Sequence, residues 1–474
     1  MSIAQAISSA MSGLTATARG TETVAANLAN AMTPGYARRE TVISAQTQGA
    51  AGGVRVDGIA RIVNATLLNE SRIASSSGQE AGVISAFQVS MEGRIGLPGE
   101  ASALSTALSD FQNALTSAAT RPDDEIRLTQ LASAASTLAG RLNTASDAVQ
   151  AARGAAQTAI ATDVETLNGS LERVAYLNTR IAALDADGTD ASVLRDERQS
   201  AIDRIAAIVP VQEVARDGGK VALFTAEGAV LLDGNIPASF GFQGAGQVTA
   251  DQEVGAGLQL LTFNGKALDA GQMKMFAGGS LSAQFTIRDQ LAPQMQAELD
   301  ALALDLHDRM LPADGGAGVF TDQGAPADAA NLTGLAGRLR LNAAADTRQG
   351  GSATWLRDGG TGTVAAGDGT RLNALNEALS DARAATGDAD LAGNATLADR
   401  FGTIEARVST RRIDAESDLS IRQARVETIS GSLLADGVDT DAEMQKLLQY
   451  EQSYAANARV LVAIEDMLDQ ILRM

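Results

Sequence analysis

The chain has 474 residues, too many for one compact core, so length alone implies roughly two to four domains. Hydrophobic residues reach 45% but aromatics only 3%, and much of the apolar share is alanine, which favours long, closely packed helices over a large pocketed core. A formal net charge of −20 argues against nucleic-acid partners and membrane surfaces, and with no cysteine and a single histidine, His307, it leaves no thiol catalysis, disulfide, Cys/His zinc site or Ser-His-Asp triad built without that residue.

The first segment carries Ile3, Ile7, Ala10, Leu14, Thr17, Thr21, Val24 and Leu28, spaced alternately by four and three residues, the period of a coiled-coil seam. Asn30 is placed to end this helix in the left-handed conformation, and Thr33-Pro34-Gly35-Tyr36 follows with a residue that cannot continue a helix and then a turn. Residues 37–60 hold short alternating runs around Gly49, Gly52 and Gly53, which predict an extended segment or small hairpin. Helical patterns then occupy about 61–93, 100–119 and 122–184. The last of these, at about 1.5 Å per residue, makes a rod of roughly 90 Å with one apolar stripe through Leu131, Leu138, Leu142, Val149 and Ile160.

A further helix is expected over Val193–Val209, stopped by Pro210. From Val211 to about Gln284 the pattern changes to strands, at Val211–Val214, Val221–Phe224, Ala229–Leu232 and Leu258–Phe263, with Asp-Gly turns at Asp217-Gly218 and Asp233-Gly234. Helical spacing resumes at Ile287–Met310, a mixed Gly-rich stretch with a strand at Arg338–Asn342 spans about 311–371, and helices are expected over 372–386 and 395–435. Thr440-Asp441-Ala442-Glu443 reads as a capping box opening the final helix, whose seam runs Leu447, Tyr450, Tyr454, Asn457, Leu461, Ile464, Leu468 and Ile471, with Asn457 the polar member that sets register.

These elements predict an α+β, mainly α fold: paired terminal coiled-coil helices (1–36 and 438–474), a mainly helical body (37–209 and 287–437), and a β insertion (210–286). Each terminal seam is narrow and needs a partner. The simplest is the other end of the same chain, and a pair diluted by Thr17, Thr21 and Asn457 gains further from burial against neighbouring subunits.

Sites for chemistry are poorly supported. Gly219-Lys220 and Gly265-Lys266 lack the Ser or Thr of a phosphate loop, and Asp185–Asp190 places Asp190 where a calcium loop needs glycine. Asp123-Asp124-Glu125 follows Pro122 and fits a helix N-terminus, and His307 lies in an apolar helical stretch as a packed or capping residue. No catalytic, cofactor or metal role is assigned to any of them. The segment lacks an apolar run able to span a bilayer and has no cleavable leader pattern, which on composition alone reads as cytoplasmic.

Two motifs carry a resemblance. Ala10-Met11-Ser12-Gly13-Leu14, Ala25-Ala26-Asn27-Leu28-Ala29-Asn30 and Thr33-Pro34-Gly35-Tyr36 resemble the N-terminal signature of flagellar rod, hook and hook-associated proteins, and Gly437-Val438 with Leu447 to Val460 is similar to that family's C-terminal motif. In the interior, Val193-Leu194-Arg195-Asp196-Glu197-Arg198, and Gly278-Gly279-Ser280-Leu281 ahead of Arg288-Asp289, resemble the hook-associated branch, whereas rod and hook proteins turn early to β structure.

What the resemblance implies is a non-enzymatic structural subunit at the junction of hook and filament, exported through the flagellar apparatus without leader cleavage and located outside the cell. Implied partners are sister copies in a helical lattice, the hook protein, the next hook-associated protein, and an export chaperone at the C-terminal helix. Ile3, Ile7, Leu14, Val24, Leu28, Leu447, Tyr450, Tyr454, Asn457, Leu461, Ile464 and Leu468 are the expected assembly contacts, and Asn27, Asn30, Thr33, Pro34, Gly35 and Tyr36 the motif residues. The alternatives are a hook or distal rod subunit, a secreted wall hydrolase, or a cytoplasmic coiled-coil scaffold.

Overall fold

A computed structural model describes residues 3–33, 35–46, 52–244, 246–311, 318–360, 364–384 and 393–473; Pro34 of the turn motif and Gly49 of the expected hairpin loop lie outside them. The chain opens with α1 (Ile3–Ala29) and an antiparallel hairpin of β1 (Arg39–Ala45) and β2 (Val54–Arg61), with a bulge between Val42 and Ile43. Asn30 closes α1 with its side chain and not with a left-handed backbone, its Nδ2 donating to the Ala26 carbonyl at 2.9 Å.

Four helices follow: α2 (Ala65–Ile95), α3 (Leu104–Thr120), α4 (Glu125–Ala186) and α5 (Ser192–Ile208). Asp124 caps α4 by accepting from the Ile126 and Arg127 amides, so the acidic run there serves the helix start. The 62-residue α4 is the spine of the molecule. Its first half packs Leu128, Leu131, Leu138 and Leu142 into one core shared with α3 and the later helices; its second half packs Ile160, Val164, Leu167 and Leu171 into another shared with α5 and the sheets.

The β region holds a four-stranded antiparallel meander of β3 (Val211–Ala215), β4 (Val221–Thr225), β5 (Val230–Asp233) and β6 (Ile236–Pro237). Beside it lie β7 (Phe240–Gly241), a short parallel ladder of β8 (Glu253–Val254) with β9 (Gly257–Leu258), and β10 (Thr262–Phe263) with β11 (Lys266–Ala267). The strand expected over Leu258–Phe263 is therefore two pieces. Leu258 and Leu261 are both buried, and an uninterrupted strand sends residues an odd number apart to opposite faces.

Helix returns earlier than expected, at α6 (Gly279–Thr286), which continues through a π segment (Ile287–Leu291) into α7 (Ala292–Arg309). His307, on α7, is buried; its Nε2 accepts from the Ala327 amide at 3.1 Å, a packed histidine holding a loop. Beyond α7, β12 (Phe320–Asp322) pairs with β13 (Leu339–Leu341), with α8 (Leu335–Arg338) leading into the latter and α9 (Trp355–Asp358) after it.

The helix expected to reach residue 386 stops sooner, as α10 (Thr370–Ser380), and gives way to β14 (Arg383–Ala384) paired with β15 (Asn394–Ala395). Its end is fixed by a distant residue: Arg309 Nη1 donates to the carbonyls of Ala378 and Asp381, at 3.1 and 2.5 Å. Two long helices complete the chain, α11 (Leu397–Ala435) against α2 and α12 (Thr440–Leu472) against α1. Arg412 and Arg422 of α11 pair with Glu92 and Glu80 of α2, at 2.7 and 3.2 Å, and hold the first of these contacts in register. The fold is mainly α with small sheets, and the two ends of the chain lie together.

Candidate assembly interface

The terminal helices are antiparallel, and three rungs set their register. A Cβ on Gly13 would lie 2.7 Å from Asn457 Nδ2, a Cβ on Gly20 would lie 2.5 Å from Tyr450 Cζ, and Asn27 Nδ2 donates to Glu443 Oε2 at 2.9 Å. Successive rungs step one heptad up α1 and one heptad down α12. Glycine at 13 and 20 lets the Asn457 and Tyr450 side chains pack directly on the α1 backbone, because a Cβ would occupy their place unless they moved.

The second inner line of α1 is Ala10, Thr17 and Val24, all buried, as the sequence periodicity places them. The other half of the expected seam lies one residue away from the inner line. Gly13, Gly20 and Asn27 face α12, while Leu14 and Thr21 are half-buried beside them and Leu28 is 37% exposed. Ile3 and Ile7 are half-buried. The signal missed in the sequence was the heptad of small and polar residues, Gly13-Gly20-Asn27, beside the larger hydrophobic ones.

Asn27 is the best-tied residue of the interface. Fully buried, its Nδ2 donates to the Arg39 carbonyl at 2.8 Å and to Glu443, while its Oδ1 accepts from the Tyr36 hydroxyl at 2.8 Å and the Arg39 amide at 2.9 Å. All four hydrogen-bonding positions of the amide are used. Tyr36 reaches it because the turn closes on a Tyr36 amide to Thr33 carbonyl bond of 3.1 Å, and burial raises the Tyr36 hydroxyl above its ordinary pKa despite the nearby Arg39.

Glu443 takes a role the sequence pattern did not suggest. The N-cap of α12 is Asp439, whose carboxylate accepts from the Asp441 and Ala442 amides, and Glu443 turns inward to Asn27 with Arg38 and Lys446 3.8 and 3.6 Å from its other oxygen. The capping box expected at Thr440–Glu443 is thus replaced by an Asp cap, since a buried donor from α1 competes for the glutamate.

The same network anchors the helix pair to the body. Arg39 Nη2 and Arg61 Nε, from the two hairpin strands, grip the two oxygens of Asp196 on α5 at 2.6 and 2.7 Å. Asp196 belongs to the Leu194-Arg195-Asp196 stretch singled out in the sequence, which therefore locks the root of the terminal helices.

What α12 leaves uncovered is extensive. Of its 33 residues only Glu443 and Ile464 are buried. Leu447, Tyr450, Asn457 and Leu461 are half-buried against α1, while Tyr454 is 51% and Leu468 37% exposed. Leu448, Val460, Val462, Met467, Ile471 and Leu472 are exposed as well, forming apolar surface on faces that α1 does not reach. Among the described residues no helix is long and apolar enough to cross a membrane.

Comparison with known proteins gives consistent matches. Residues 96–311 match the flagellar hook-associated protein FlgK helical domain, residues 7–36 the flagella basal body rod protein family, and residues 429–474 the flagellar basal body rod FlgEFG protein C-terminal family. The chain is 24% identical to flagellar hook-associated protein 1 of Salmonella typhimurium, over 98% of this chain and 99% of that protein. It is 23% identical to the protein of that name from Bacillus subtilis, over 98% and 97%. A solved structure of the flagellar hook junction protein FlgK from Burkholderia pseudomallei is 21% identical and aligns with a TM-score of 0.44, over 53% of this chain and 46% of that one.

Proposed function

The chain belongs to the flagellar rod, hook and hook-associated protein family, on its hook-associated protein 1 branch, and from that premise we propose that it is a structural subunit of the junction between hook and filament. In this reading residues 1–36 and 438–474 form the terminal domain, 37–209 and 287–437 the stiff body, and 210–286 an outward β insertion. The terminal pair packs against those of sister copies in a helical lattice, as heterologous contacts that repeat without closing. The hook protein and the next hook-associated protein take the two ends of the zone, and the apolar C-terminal helix is held by an export chaperone before assembly outside the cell. The function is mechanical and requires no catalysis or cofactor.

One observation carries this reading: α12 presents a helix-long apolar surface that α1 covers on one side only. Val462, Leu468 and Ile471 are 57, 37 and 58% exposed, so completing their burial would stabilise the assembly by roughly 0.5–1.7 kcal/mol each. The double replacement Val462→Asp and Leu468→Asp should leave the body folded and its thermal transition unchanged, while abolishing incorporation into flagella and leaving hooks without filaments. Normal motility and normal incorporation of that variant would defeat the proposal; loss of the hooks themselves would favour a hook or rod subunit.

A further inference from the structure

Segment 247–254, which leads from β7 into β8, crosses a cleft between the β insertion and the helical body. Two cavities, of about 820 and 470 Å³, meet at it, and Ala250 of the segment and Thr333 of the loop before α8 line both. From Gly246 to Gly257 only Val248 is buried, so little apolar packing holds this stretch down, the mark of a region that opens before the rest of a fold.

Two contacts fasten it instead. Arg153 is buried on α4 where its first core, ending at Ala156, gives way to its second, beginning at Ile160. Its Nη1 and Nη2 donate to the Thr249 and Gln252 carbonyls at 2.9 and 2.7 Å, and its Nε donates to the Arg288 carbonyl at 3.1 Å. That last carbonyl is orphaned by the sequence: the Ala292 amide is spent on Ile287 in the π pattern, and the next residue, Pro293, has no N–H. Arg153 is thereby held with its outer nitrogens toward the segment. The second contact is Gly334, where an added Cβ would lie 3.1 Å from that of Ala250. The Gly334 amide donates to Asp300 Oδ2 at 2.7 Å, while Oδ1 accepts from the Ala336 amide at 2.8 Å and from Gln296 Nε2 at 2.9 Å.

We propose that segment 247–254 is a strap that opens and closes over the two cavities, latched by Arg153 and released as Asp300 gives up a proton to solvent. Asp300 is buried in the wall of the smaller cavity and is met by amides, not by a cation. The charges facing it are Arg338 on α8, bound to Asp322 at 2.9 Å, Asp289 of the π segment, bound to Arg288 at 2.6 Å, and Arg153 and Glu253 in the same cavity wall. Burial raises the Asp300 carboxyl from 3.8 to about 6, so the closed strap keeps a proton. Opening admits water to the cavity and returns the carboxyl toward its ordinary value, which makes opening easier as pH rises through this range. The inference is independent of the junction reading, because it concerns the body and not the outer faces of the terminal helices.

The test is amide hydrogen exchange of the full chain, read by mass spectrometry from about pH 4 to about pH 7 and corrected for the intrinsic pH dependence of exchange. The strap and the Gly334 and Ala336 amides should exchange faster than β4, and their rates should rise by up to roughly 100-fold between about pH 4 and about pH 6 and then level off. Asp300→Asn should flatten that profile. Arg153→Gln should speed strap exchange at least roughly tenfold at every pH while β4 is unchanged. Exchange of β4 in the same sample reports whether Arg153→Gln keeps its fold, and the parent against Asp300→Asn decides the question without it. A strap as slow to exchange as β4, or one pH profile shared by the parent and Asp300→Asn, would overturn the proposal, as would unchanged strap exchange in a folded Arg153→Gln.

Discussion

Replacing Gly20 by alanine would put a methyl carbon 2.5, 2.7 and 2.8 Å from Cζ, Cε1 and Cε2 of Tyr450, where packed carbons sit at about 3.5–4.0 Å. Either the ring leaves its place on α1 or the helices part, and overpacking of this kind costs about 1–3 kcal/mol. Alanine returns about 1 kcal/mol of helix propensity, so the terminal pair should lose up to about 2 kcal/mol. Amide hydrogen exchange reads this directly, with α1 and α12 exchanging up to roughly 30-fold faster while the α4 core is unchanged. Gly169, mid-α4 with nothing within 4 Å of an added Cβ, is the control; alanine there should stabilise by about 1 kcal/mol. Adding Tyr450→Leu to Gly20→Ala should restore slow exchange. If Gly20→Ala slows exchange in α1, as Gly169→Ala should in α4, the helices do not close over Gly20 and the rung geometry is wrong.

Two further outcomes follow from the buried polar groups. Asn27→Ala should weaken the terminal pair by about 2–4 kcal/mol, because it strands the Tyr36 hydroxyl, both backbone groups of Arg39 and one Glu443 oxygen; Glu443→Gln keeps an acceptor for Asn27, losing only the charge that faces Arg38 and Lys446, and should weaken the pair less than Asn27→Ala, a contrast measurable by exchange in α1 and α12. Asp300 has its pKa raised from 3.8 to about 6, chiefly by burial, against hydrogen bonds from the Ala336 and Gly334 amides and Gln296. The native state therefore keeps a proton that the unfolded chain releases, so the stability due to this group is complete below about pH 4 and is lost as pH rises to about 6, a change of about 3 kcal/mol. Denaturation across that window should show the parent losing stability relative to Asp300→Asn, and parallel pH profiles would rule out this assignment.

Much of the helical architecture was legible because helix formation is governed by local periodicity and punctuation. Apolar spacing identified α1, the α4 rod and α12, and Pro210 and the Asp-Gly turns marked the passage into strands. Elements shaped by distant partners were less legible. The end of α10 depends on Arg309, and the strand expected across Leu258 and Leu261 is interrupted between two residues that are both buried although three apart.

At the interface, the heptad repeat determined that the chain ends are helices with a narrow seam, and the Asn27 to Tyr36 motif determined the family resemblance. Tertiary structure alone decided which side of that seam faces inward. Hydrophobicity points to Leu14 and Leu28, but Gly13 and Gly20 face inward, because the side chains of Asn457 and Tyr450 fill the space that a Cβ there would need. The pairing of Asn27 with Glu443, 416 residues apart, was likewise beyond local reading: a glutamate near a helix start has two competing uses, and a buried amide brought by the fold decided between them.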